Sequence, residues 1–182
     1  ALDCYRDQEL PGRFAWVLAS RTEIYLRWGR LADAERCARG ALSIANSRGT
    51  PAERSVAEFN LGMLLLEMGS TNRAQSHITK SKRVAEALGL SRFLGDVLMG
   101  LSWVHFDKGE YPRAEAYWTQ ASEIHVQTRN TLYQGVVHGI RGLCALGEGR
   151  TETAIEALQE AIESPALDTR SALFFSLALT VA

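Results

Sequence analysis

The sequence predicts an all-α fold, a right-handed superhelical solenoid of antiparallel helix pairs. The first observation is a forty-residue repeat of glycine and, five positions after each glycine, of alanine. The repeated positions are Gly29, Gly69, Gly109 and Gly149, and Ala34, Ala74, Ala114 and Ala154. The second observation is that apolar residues on both sides of each glycine fall three and four apart, which is the spacing of one face of an α-helix. Duplication with this period is typical of stacked helix pairs.

Each repeat is predicted to contain two helices that meet at its glycine. Glycine supplies the left-handed backbone that closes a first helix, and Pro112 suits the first turn of a second helix. A further glycine, Gly49 or Gly89, ends the second helix before the next repeat begins. The predicted helices span 12–28, 31–48, 52–68, 71–88, 92–107, 111–129, 131–147 and 151–163.

We expect a single repeat domain over residues 1–182. Full repeats are predicted at 11–50, 51–90, 91–130 and 131–167. Residues 1–10 align with the end of a preceding repeat and residues 168–182 with the start of a further one. The chain is therefore expected to be a fragment of a longer repeat array.

Small residues should bring the two helices of a pair close together, with their axes roughly 8–10 Å apart. The repeated alanines face a second small column in the first helices, formed by Thr22, Gly62, Ser102 and Gly142. The helix at 131–147 is unusual because it also carries Gly135 and Gly139, and each interior glycine costs roughly 1 kcal/mol relative to alanine. Two interpretations stay open for this helix, a close approach by a neighbouring helix or a soft joint.

The repeated segments resemble the tetratricopeptide repeat. They read GRLADAERCARGAL, GSTNRAQSHITKSK, GEYPRAEAYWTQAS and GRTETAIEALQEAI, and six extra residues lengthen the usual repeat of about 34. Long repeats of this kind are also similar to those in the sensor arms of large bacterial ATP-binding transcription regulators of the MalT-like and AfsR-like groups, and to those of some eukaryotic scaffold proteins. The resemblance implies a binding protein.

Composition gives no indication of a nucleic-acid or membrane partner. Twenty basic and twenty-one acidic residues leave a net charge of −1, so no basic field would attract nucleic acid. No apolar run approaches the length of roughly 18 residues that is needed to cross a bilayer. Cys4, Cys37 and Cys144 are odd in number and lie in helical patterns, which predicts core packing and a cytoplasmic, reducing location.

No pattern indicates catalysis, a metal or a cofactor, and we expect no enzyme. The four histidines lack metal-ligand spacing, which favours packing or surface roles for His77, His105, His125 and His138. The sequence also contains neither a phosphate-binding loop nor a nucleophile elbow.

The family resemblance implies that the first helices of the repeats line a groove. Its predicted residues are Trp16, Glu23, Arg27, Phe59, Asn60, Met63, Met99, Trp103, Phe106 and Leu143. A carboxylate clamp is disfavoured, because only Asn60 provides the asparagine that such clamps use. The apolar lining has two main interpretations: packed core between repeats, or a groove for an amphipathic helix or extended peptide. A small-molecule inducer is a third possible occupant.

For function we expect a non-catalytic binding module. The first hypothesis is a protein-, peptide- or ligand-binding sensor arm of a multidomain bacterial signalling protein or transcription regulator. The alternative is a stand-alone scaffold that mediates protein–protein assembly or self-association.

Overall fold

The computed structural model describes residues 11–129, 134–164 and 175–181, and within these ranges the chain is helical with no strand. The helices are α1 (Pro11–Arg27), α2 (Leu31–Arg48), α3 (Pro51–Glu67), α4 (Thr71–Ala87), α5 (Ser91–Asp107), α6 (Tyr111–Gln127), α7 (Gln134–Gly147) and α8 (Thr151–Ile162). A further helical segment covers residues 175–179. Predicted and observed ends differ by at most two residues, except at the predicted start of the seventh helix, where 131–133 lie outside the described residues.

The chain forms two compact units, Ala1–Leu90 (unit 1) and Ser91–Ala182 (unit 2). Unit 1 contains the pairs α1–α2 and α3–α4, and unit 2 contains α5–α6 and α7–α8. The two helices of each pair are joined by a short turn and contact each other extensively, so they run antiparallel. In each unit the first helices of its two pairs also contact each other, α1 with α3 and α5 with α7. The predicted all-α fold of antiparallel helix pairs is confirmed.

The turn within each pair has the left-handed backbone that the repeated glycine predicts. Gly29, Gly69, Gly109 and Gly149 have φ values of +69°, +71°, +70° and +75°. After α1, the Gly29 N–H donates to the Leu26 carbonyl at 3.0 Å and the Arg30 N–H donates to the Tyr25 carbonyl at 2.9 Å. These bonds satisfy carbonyl groups that the end of a helix would otherwise leave without partners.

The turn after each second helix varies more than the sequence suggests. Gly89 is left-handed, with φ +64°, but Gly49 ends α2 in extended backbone at φ −85° and ψ 159°. Extended backbone suits Gly49 because the next residue, Thr50, is already the N-cap of α3. The Thr50 side chain accepts a hydrogen bond from the Glu53 N–H at 3.2 Å, and the Glu53 carboxylate accepts one from the Thr50 N–H at 2.7 Å.

Arg129 occupies the equivalent position after α6 and is left-handed without being glycine, with φ +52°. A side chain in this region costs roughly 1–2 kcal/mol, so we expect Arg129→Gly to raise the free energy of unfolding by about 1 kcal/mol. Urea denaturation followed by circular dichroism measures the change. The control is Arg54→Gly, at an exposed position inside α3, which should lower stability by about 1 kcal/mol. A loss in both variants would show that the backbone at Arg129 is not strained.

The small columns meet inside the pairs, as predicted. The Ser102 hydroxyl on α5 donates to the Ala114 carbonyl on α6 at 2.8 Å. A Cβ atom on Gly62 would lie 3.3 Å from the Ala74 carbonyl oxygen. The two helices of a pair therefore approach each other along a seam that has little room for side chains.

Close approach also accounts for two of the glycines in α7. A Cβ atom on Gly142 would lie 2.6 Å from Cγ of Leu158, and one on Gly139 would lie 2.0 Å from Cζ of Phe175. Close approach, the first of the two interpretations of this glycine-rich helix, is thus supported at both positions.

No helix among the described residues is both long and apolar enough to cross a membrane.

Candidate functional site

The candidate site is a cleft of about 380 Å³ in unit 1, between α1 and α3. We call it the α1–α3 cleft. Its lining residues are Ala19, Ser20, Thr22, Leu26, Val56, Asn60, Met63 and Leu64. All of them lie on first helices, the helices that the family resemblance assigns to a groove. The cleft exists because this face of α1 presents mainly small side chains to α3.

Three of the predicted groove residues have described side chains in unit 1. Asn60 and Met63 lie on α3 and line the cleft, and Phe59 is half-buried on the same helix. The side chains of Trp16, Glu23 and Arg27 lie outside the described residues. In the forty-residue repeat, Ala19, Ser20, Leu26 and Val56 are equivalent to the predicted groove residues Phe59, Asn60, Phe106 and Trp16. Sequence reasoning missed Leu64, and it assigned Thr22 to the helix seam alone.

In unit 2, two of the predicted groove residues are buried in the core. Met99 and Leu143 are each only 5% exposed. Met99 packs in one core cluster with Ile140 and Cys144, and Leu143 packs in a second core cluster with Phe175. For these two residues the burial favours the packed-core interpretation of the apolar lining, because neighbouring side chains already cover them.

The two predicted aromatic residues of unit 2 are half-buried. Trp103 and Phe106 form an edge-to-face pair with ring centroids 5.8 Å apart, and both pack against the two core clusters. Phe106 also lies 5.7 Å from the ring of Tyr111. These aromatic contacts lie within unit 2.

The histidines take part in contacts within helix pairs. His77 Nδ1 lies 2.5 Å from the Glu58 carboxylate, and His138 Nδ1 lies 2.8 Å from that of Glu160. Each of these contacts joins the first and second helix of a pair. No group of three or more histidine, cysteine, aspartate or glutamate side chains in residues 11–129, 134–164 and 175–181 could hold a metal ion.

His105 and His125 are the two buried histidines of unit 2. The His105 ring stacks on Tyr117 at 5.2 Å, and its Nδ1 lies 2.8 Å from the Glu110 carboxylate. The hydrogen bond from His105, followed by that from Arg113, lowers the pKa of Glu110. Burial lowers the pKa of His125, and the charge of Arg92 adds to the effect.

The described cysteines, Cys37 and Cys144, are buried free thiols, which confirms their predicted place in the core. Burial raises the pKa of Cys144 to about 12, with smaller contributions from Glu115 and Glu148. A thiol with this pKa stays protonated near neutral pH and is a poor nucleophile. Cys144 therefore has the burial and the low reactivity of a packing residue.

The sequence matches no protein-family model and no curated protein. Solved structures do match. The structure of BtubC (BKLC) from P. vanneervenii has a TM-score of 0.75 and 16% sequence identity, over 97% of this chain and 74% of that chain. A putative kinesin light chain from Podosopora anserina, with nearly identical TPR-like repeats, has a TM-score of 0.72 and 14% identity, over 96% of this chain and 87% of that chain. At these identities the likeness establishes the fold, which is TPR-like.

Proposed function

We propose that this chain is a non-catalytic protein-interaction scaffold, and that unit 1 holds an apolar side chain of a partner peptide in the α1–α3 cleft. A TPR-like fold supports a protein-binding role. The observation that carries the proposal is a difference between equivalent positions of the two units. The cleft lies open in unit 1, whereas in unit 2 Met99 and Ile140, equivalent to Ala19 and Asn60, are buried at 5% and 0% exposure.

The wider role follows from the sequence resemblance. As the sensor arm of a multidomain bacterial signalling protein or transcription regulator, the scaffold would act in the cytoplasm and pass the binding event to other domains. The stand-alone scaffold, which assembles partners or a second copy of itself, agrees with the TPR-like fold at least as well. The sequence of the full-length protein separates the two, because a regulator would carry a phosphate-binding loop and a helix-turn-helix outside residues 1–182.

The proposal is tested with peptides selected from a random display library on the purified chain. Met63→Glu places a charge in the cleft, and we expect it to weaken peptide binding by roughly tenfold or more. Fluorescence anisotropy with labelled synthetic peptides measures the dissociation constants. The matched control is Val126→Glu, which changes an apolar residue on α6 that is 67% exposed.

Val126→Glu should leave the dissociation constant unchanged. Thermal unfolding of both variants checks that weaker binding by Met63→Glu does not reflect loss of structure. Peptide binding that Val126→Glu weakens as much as Met63→Glu would contradict the proposal. A selection that returns no binding peptide would contradict it as well.

A further inference from the structure

We infer that the α1–α3 cleft selects an uncharged, flexible aliphatic side chain of about the size of methionine or leucine from its partner peptide. The inference rests on the proposed function and adds the chemistry of the anchor. It is argued from the corresponding space in unit 2, which this chain fills with its own side chains.

Each residue of the cleft has an equivalent eighty positions later, between α5 and α7. In three of these pairs unit 2 carries a larger or an apolar side chain in place of the one in unit 1: Ala19 corresponds to Met99, Leu26 to Phe106 and Asn60 to Ile140. The other equivalents are Gly100, Ser102, Val136, Leu143 and Cys144. At these five positions the residue in unit 2 is identical, similar in size or smaller, so the added side-chain volume in unit 2 comes from the other three.

Methionine fills the space in unit 2. Met99 lies in a buried cluster with Leu98, Ile140 and Cys144, and Phe106 packs against that cluster. At position 19 alanine lacks the γ-methylene, the sulfur and the terminal methyl that Met99 places there. A partner side chain of similar length and flexibility would restore the missing contacts, and methionine adapts well to irregular spaces.

The polarity of the lining excludes a charged anchor. None of the eight lining residues is ionisable, and the polar ones are Ser20, Thr22 and Asn60. The Thr22 hydroxyl already donates to the Leu18 carbonyl at 2.9 Å. A charged side chain would lose its water of hydration in the cleft without gaining a counter-ion from these residues.

The test converts the cleft of unit 1 into the filled space of unit 2. Ala19→Met should occupy the cleft from within, raise the melting temperature, and weaken binding of the selected peptides by roughly tenfold to a hundredfold. In the peptides, one position should prefer methionine or leucine. Norleucine at that position should keep the affinity, and glutamate should lose about as much as Ala19→Met does.

A double-mutant cycle tests whether Ala19→Met and a change of the peptide's anchor residue remove the same contact. A peptide whose anchor is replaced by alanine should bind the wild-type chain and Ala19→Met with the same affinity, because the contact is already absent. If Ala19→Met lowers the melting temperature, the same cycle is run with Asn60→Ile, which introduces the residue found at position 140.

The outcomes distinguish this inference from the proposed function. An aromatic residue at the preferred position would overturn the inference and leave the proposed function in place, because an aromatic side chain is still an apolar anchor in the cleft. Peptides that bind both filled variants as tightly as the wild-type chain, or that prefer a charged residue, would overturn the inference together with the cleft as the binding site, and would leave only a peptide-binding scaffold. A library that yields no binder for the wild-type chain would overturn the proposed function itself.

Discussion

Replacing Phe175 with alanine is expected to lower the free energy of unfolding by about 3–5 kcal/mol, the loss typical of a buried phenylalanine. Phe175 is 1% exposed and packs in one cluster with Leu143, Leu158 and Ala161. Its ring lies against Gly139 on α7, where there is no side chain to move into the vacated space. The surrounding helices can therefore collapse only partly, and a cavity should remain.

Urea denaturation followed by circular dichroism measures this loss. The matched control is Leu177→Ala in the same helical segment, since Leu177 is 65% exposed and its truncation should change stability by no more than about 0.5 kcal/mol. A loss below about 1 kcal/mol for Phe175→Ala, or equal losses in the two variants, would show that residues 175–179 do not pack on α7 in solution.

The helix pairs were predictable because their causes are local. A glycine that closes a helix and small residues that let two helices approach leave columns at a fixed period, and these columns indicate both where helices end and which faces meet. The exceptions come from residues just outside the columns. Gly49 is extended because Thr50 caps the next helix, and Arg129 is left-handed although it is not glycine.

The site was less predictable, because a groove column indicates a direction on a helix and not the space in front of it. Ala19 and Met99 share one column, yet Ala19 lines a cleft and Met99 is in the core. Whether such a position is open depends on the sizes of side chains from two helices together, here also Asn60 and Ile140. The combined size of these facing side chains can be judged only from a structure, because the residues come from two different repeats.

Replacing Gly62 with alanine is expected to destabilise unit 1, although alanine is the better helix former. A Cβ atom at this position would lie 2.5 Å from Cγ1 of Ile78 and 3.2 Å from the Ile78 backbone nitrogen. Ile78 is fully buried and β-branched, so its side chain has little freedom to turn away. Overpacking of this kind costs about 1–3 kcal/mol, which exceeds the roughly 1 kcal/mol gained in helix propensity.

Gly40→Ala is the matched control, because the same substitution in the same unit meets different surroundings. A Cβ atom on Gly40 would lie 3.4 Å from Cδ1 of Leu18, an ordinary contact with the end of a flexible side chain. The propensity gain should then dominate and raise the free energy of unfolding by up to about 1 kcal/mol. Opposite signs for the two variants, measured by urea denaturation, would identify close approach at the α3–α4 seam as the reason that position 62 requires glycine. A gain in both would show that the seam can widen by the radius of a methyl group at little cost, and that Ile78 does not fix the distance between α3 and α4.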